Sequence, residues 1–177
     1  MLRRIFLLAI CCIGLGLAPT MAQDSLTPEP SPLEVVSVKL NDLYMKVVYS
    51  RPHMRGRDIF GGLVPYGEVW RTGANEATEI TLTEDVIFGG KELPAGTYAI
   101  FTIPNEDSWT VIVNTDLGQW GAFKYNEELN LFTFEVPVEK TDVAYEPFTI
   151  TFDLNKDSVS MNMIWDRTKV TIPIEPQ

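Results

Sequence analysis

From Leu33 onward this chain shows no sustained helical period; short β-rich runs alternate with turn residues instead. Val35, Ser37 and Lys39 alternate with Val36, Val38 and Leu40, which reads as a strand covered on both faces. Asn41-Asp42 makes a tight turn into a second strand, Leu43–Tyr49. Residues 50–78 break the pattern. Glu79–Thr83 resumes it, with Ile80 and Leu82 on one face. Val86–Phe88 and Lys91–Leu93 flank Gly89-Gly90, and Gly96–Ile103 and Ser108–Asn114 flank Pro104–Asp107; both are hairpin signals. After a second loop, Asp116–Glu128, come Leu129–Val138, Pro147–Leu154, Ser158–Trp165 and Lys169–Ile174. Strands spaced about 8–12 residues apart predict an all-β fold, an antiparallel sandwich or a jelly roll, with one long glycine- and arginine-rich loop.

The start of the chain reads differently. Met1-Leu-Arg-Arg4 is a short basic segment, Ile5–Leu17 is an apolar run of 13 residues, and Thr20-Met21-Ala22 places small residues at the −3 and −1 positions. This is the pattern of an export signal cleaved after Ala22, and the run is shorter than a spanning helix requires. A lipidated Cys11 or Cys12 would need a small residue where Ile10 stands; a retained anchor is the other alternative. Pro28, Pro30 and Pro32 then make residues 23–32 an extended tether, leaving 33–177 as one folded domain. The expected location is periplasmic or extracellular, with no integral span after cleavage.

Cleavage would leave 155 residues and take the formal charge from −10 to −12. Such an acidic surface repels phosphate backbones, so nucleic acid is not an expected partner. Both cysteines lie in the leader, so the mature chain holds no disulfide, no thiol nucleophile and no cysteine metal site. No cofactor motif is present. Asp153–Asp157 imitates the start of a calcium loop, but Ser158 and Ile164 stand where glycine and glutamate are needed, so it reads as a hairpin turn. His53 is the lone histidine; Asp58 or Glu68 could orient it as a base, but a solvated loop histidine is the simpler reading.

The long loop carries the chemistry. Of five arginines after Ala22, four (Arg51, Arg55, Arg57 and Arg71) fall within 21 residues, a window of net charge +2. Guanidinium forks match carboxylate or phosphate oxygens in pairs, and the interleaved glycines allow close backbone approach. The competing reading pairs each arginine with one of the chain's many carboxylates, as scaffold. Trp70, Tyr66, Trp120, Phe123 and Tyr125 lie in the two long loops, where rings serve either a sugar or the core. Gly96-Thr-Tyr98 reads as a turn closed by a tyrosine, and Trp109 and Trp165 read as core.

Tyr49–Arg57, Ile59–Thr78, Leu93–Tyr98 with Phe101–Pro104, Gln119-Trp-Gly121 and Trp165–Thr168 resemble the bacterial DUF2911 family, over nearly the whole chain after the leader. The resemblance implies an exported, single-domain protein and supplies no reaction. His53 stands where the family pattern usually carries another residue. The family-like positions Arg51, Arg57, Trp70, Arg71 and Asn75 are the expected ligand contacts, for a small anionic molecule or a glycan. An envelope scaffold is the alternative, and a hydrolytic enzyme the third reading; no residue is assigned to catalysis. Mass spectrometry of the protein from its native host should find an N-terminus at Gln23, and an intact chain starting at Met1 would contradict the leader.

Overall fold

The computed structural model describes residues 29–177. The leader and most of the tether lie outside the described residues. Nine strands form: β1 (Leu33–Leu40), β2 (Leu43–Ser50), β3 (Ala74–Leu82), β4 (Val86–Phe88), β5 (Lys91–Leu93), β6 (Gly96–Pro104), β7 (Ser108–Asn114), β8 (Asn130–Leu154) and β9 (Val159–Pro176). One 3₁₀ turn, Glu127–Leu129, precedes β8. No helix among the described residues is long and apolar enough to cross a membrane. The protein is all-β, as its patterning requires. Its strands hydrogen-bond in the order β1-β2-β3-β6-β7-β8-β9-β4-β5, every pair antiparallel.

The turn chemistry is as expected. Asn41 takes a left-handed φ of 53° between the paired Leu40 and Leu43, and Gly89 and Gly90 take positive φ in the β4–β5 hairpin. The Asp153–Asp157 segment is the β8–β9 turn, closed by a bond from the Asn155 amide to the Ser158 carbonyl. The Tyr98 hydroxyl donates to the Pro94 carbonyl (3.0 Å) and closes its corner.

Apart from β3 beginning at Ala74 rather than Glu79, which ends the long loop at Gly73, two features differ from the sequence reading. The last four expected strands are two long ones. Residues 139–146 contain neither glycine nor proline, so nothing there stops the chain from pairing. β8 continues through two register shifts, pairing with β7 through Pro137 and with β9 from Val138. Asp166, at φ 52°, takes up the irregularity opposite Tyr145. The second difference is β1, which is an edge strand. Val36 and Val38 pack on the core, whereas Leu33 and Val35 face outward and are exposed.

Alternating residues of β2, β3, β6, β7, β8 and β9 fill one core with Met45, Val47, Ile80, Ile100, Val111, Ile150 and Met163. At one end of this core lies an aromatic cluster of Tyr49, Phe60, Trp70, Trp109, Phe148 and Trp165, with neighbouring centroids 5.0–6.2 Å apart and most pairs edge-to-face. Losing one such side chain costs about 3–5 kcal/mol. On the opposite face of β6 and β7, Ala99, Phe101 and Ile112 are covered by Ala122 and Tyr125, so the central strands are buried on both sides.

Backbone bonds stitch the curled sheet to itself. The Phe148 amide donates to the Pro52 carbonyl (2.8 Å), the Met54 amide donates to the Glu146 carbonyl (2.9 Å), and the Ile150 amide donates to the Tyr49 hydroxyl (3.0 Å). The start of the long loop is therefore a continuation of β2 along β8. Burial pushes the Tyr49 phenol above its ordinary value. Its contribution to stability is thus complete below the unfolded value near 10.0 and is lost as pH rises towards the folded one. Tyr49→Phe strands the Ile150 amide and should cost about 1–3 kcal/mol in urea denaturation at neutral pH. The same variant should lose less stability above pH 10 than the wild type.

Candidate functional site

The long loop starts and ends on the sheet, and its far end is fixed by Trp70. The Trp70 amide donates to the Thr102 carbonyl (2.7 Å) and the Thr102 amide donates back (2.9 Å). The indole N–H donates to the Gly73 carbonyl (3.0 Å), and the ring stacks on Trp165 at 5.9 Å with 18° between planes. Thr72 follows, fully buried at φ 57°. A β-branched residue in the left-handed region is strained by about 1–3 kcal/mol and persists only where its surroundings hold it. Here the Thr72 carbonyl accepts from the Thr78 hydroxyl (2.6 Å), and the Thr72 hydroxyl pairs with that of Thr102 (3.1 Å). Asn75, at φ 56°, is a second left-handed residue, at the start of β3 where its pairing with β2 shifts register. Between these anchors Arg71 has little backbone freedom.

Arg71 lines a cavity of about 600 Å³, together with Arg57, Glu68, Trp70, Asn75, Phe123 and Trp165. The volume lies within the usual range for small-ligand clefts, about 300–1,000 Å³. Four of the five expected contact residues, Arg57, Trp70, Arg71 and Asn75, thus converge on one hollow. Arg51 does not. Its Nη1 lies 3.6 Å from Glu34, its Nε donates to the Phe148 carbonyl and its Nη2 to the Thr149 hydroxyl. This is the scaffold role, binding β1, β2 and β8 together.

The remaining arginines separate by partner. Arg55 donates to the Pro30 carbonyl (2.8 Å). Arg57 donates from Nε to the Met54 carbonyl and from Nη2 to the His53 carbonyl, which fixes its fork at the cavity wall. Arg71 is different. Its Nε is buried without a hydrogen-bond partner, and the ion pairs among the described residues join Arg51 to Glu34 and Lys169 to Glu139, leaving Arg71 without a carboxylate. Burial alone pulls its guanidinium below the ordinary value. A half-buried cation with no carboxylate in ion-pair range is costly to fold, and an anion entering the cavity would remove that cost.

Asn75 Nδ2 donates to the Ser31 carbonyl and the Ser50 hydroxyl, both at 3.3 Å, so its amide braces the wall and its Oδ1 is uncommitted among the described residues. Trp70 is mostly buried and forms cavity floor rather than an open ring platform. Tyr125 packs on Phe101 at 5.1 Å and its hydroxyl accepts from Asn130, so it belongs to the core. Tyr66 lies in a separate hollow with Arg57, Asp58 and Asp166. Trp120 and Phe123 stay open to solvent. His53 forms a backbone bridge to Pro147. Ser31, Trp165 and Ala122 in the cavity wall were not legible as site residues, because only the fold brings positions so far apart in sequence together.

Residues 31–174 match the model of DUF2911, a protein family of unknown function. The chain belongs to this family. No curated protein and no solved structure matches it. In this DUF2911 chain the family-like stretches 49–57, 59–78 and 165–168 meet around the cavity and the hollow beside it, and Trp120 of 119–121 lines an adjoining hollow with Ser31 and Asn75. Arg51→Met should lower stability by about 1–2 kcal/mol in chemical denaturation, mostly through its bonds to β8 because the Glu34 pair is partly exposed.

Proposed function

We propose that this protein is a binding module whose cavity takes a small anionic or polar ligand, and that it works outside the cytoplasm after removal of residues 1–22. The observation that carries the binding reading is Arg71, half-buried in the cavity wall with its Nε unpartnered. Arg57, fixed at the same wall, adds a second positive charge. The basic, apolar and small-residue pattern of the leader supports export.

A second reading, an envelope scaffold or interaction domain, draws on Arg51 and Arg55, whose forks are engaged within the protein. The two readings separate at Arg71. Binding to the native state alone raises stability with ligand concentration, by about 2.7 kcal/mol at a hundred-fold excess over Kd. Thermal shift with acetate, citrate, phosphate and D-glucuronate should find at least one anion that stabilises the wild type. Arg71→Lys and Arg71→Met should weaken that anion about ten-fold or more. Ligand-free Arg71→Met should melt no lower than the wild type, because it removes an unpaired charge. A wild type stabilised by no anion, with an Arg71→Met variant melting several degrees lower, would favour the scaffold.

A further inference from the structure

The lining of the cavity restricts the class of ligand. Its charged side chains are Arg57, Arg71 and Glu68, a net of one positive charge. That balance suits a single carboxylate and disfavours a phosphate dianion, which Glu68 would repel. Glu68 and the uncommitted Asn75 Oδ1 are hydrogen-bond acceptors, and acceptors in a cation-lined cleft call for hydroxyl donors on the same ligand.

The rim supplies the rest. Phe123, in the cavity lining, is 88% exposed, and Trp120 is 63% exposed. Both stand on a loop fixed to β3, where the Ala77 amide donates to the Gln119 carbonyl and the Gly121 amide donates to the Asn75 carbonyl. Gly121 is at φ 71°, and a Cβ there would lie 2.8 Å from the Phe123 ring, so the ring rests against bare backbone. Trp120 lines an adjoining hollow of about 440 Å³ that shares Ser31 and Asn75 with the main cavity. Two open rings on a pinned loop, one at the guanidinium-bearing cavity and one at the adjoining hollow with Glu29 and Glu76, offer apolar faces for pyranose rings beside hydroxyl acceptors. The C–H face of a pyranose is apolar and meets the negative face of an aromatic ring.

We propose that the ligand is an oligosaccharide with one uronate ring: its carboxylate on Arg71 with Arg57, that ring on Phe123, and a neutral second ring towards Trp120, where Glu29 and Glu76 would accept from its hydroxyls. This rests on the binding reading above and adds a ligand class to it.

Isothermal titration with D-galacturonate, galacturonosyl-rhamnose, cellobiose, acetate and inorganic phosphate tests it, using the wild type, Phe123→Ala, Phe123→Tyr, Trp120→Ala and Arg71→Gln. Galacturonosyl-rhamnose should bind tightest, followed by galacturonate, with acetate and cellobiose far weaker. Phe123→Ala should weaken both acidic sugars about five-fold, and Phe123→Tyr should restore them. Trp120→Ala should weaken only the disaccharide, and Arg71→Gln should remove the preference for acidic over neutral sugar. Both rings are exposed, so circular dichroism of these variants should match the wild type. Phosphate or acetate binding as tightly as galacturonate, with no effect of Phe123→Ala, would overturn the saccharide proposal and leave the anion site standing. Cellobiose equal to galacturonosyl-rhamnose would overturn the assigned role of Arg71. No binding of any probe would overturn both readings together.

Discussion

Trp70 is the contact on which the site depends. Its backbone pairs on both sides with Thr102, its indole N–H closes onto Gly73, and its ring lies in the aromatic cluster on Trp165 and Phe148. A long loop carries a large conformational entropy, and ordering it needs a contact of this size. With Trp70 seated, the chain turns through residues 71–73 to enter β3 at Ala74, with Thr72 left-handed in the turn and Asn75 left-handed where β3 shifts register against β2. Arg71 lies between the anchor and the strained turn. Its position is thus a consequence of core packing, while its charge has no partner in that core.

The arginine cluster divides by what each guanidinium touches. Arg51 binds three strands together, Arg55 holds Pro30, and Arg57 is braced by two carbonyls of its own loop. In a chain of net charge −10, carboxylates are abundant, so the lack of one in ion-pair range of Arg71 is a feature of the fold and not of composition. The two exposed rings follow the same logic. Trp120 and Phe123 sit on a loop whose neighbour Tyr125 is packed on Phe101, so the loop is fixed by one aromatic and displays two.

Much of the fold was legible in the residues. Period-two alternation and the turn pairs Asn41-Asp42 and Gly89-Gly90 specify antiparallel strands, because the turn geometry and the pleat are local. The merging of four expected strands into β8 and β9 was not legible, since a register shift such as that near Tyr145 and Asp166 is fixed by the partner strand. The edge position of β1 was hidden for a similar reason: Val35 and Val36 read alike, and only the pairing order decides which faces solvent. Within the site, the guanidinium chemistry and the clustering marked Arg57 and Arg71, and the family resemblance added Trp70 and Asn75. Nothing local distinguished Arg51, whose partners Phe148 and Thr149 lie nearly a hundred residues away. The same distance hid Trp165 and Ser31 as walls of the cavity.

The central claim is that Arg71 holds an unpaired, desolvated guanidinium facing a ligand cavity. Nitrogen-15 NMR of the arginine Nε–H groups reads this directly during titration with sodium D-galacturonate. The account predicts that the Arg71 Nε–H resonance shifts progressively and exchanges more slowly with solvent as the sugar acid is added, while the Arg51 resonance stays in place. An Arg71 resonance unmoved through saturating concentrations, or one that moves together with Arg51 and the exposed Arg167, would contradict it.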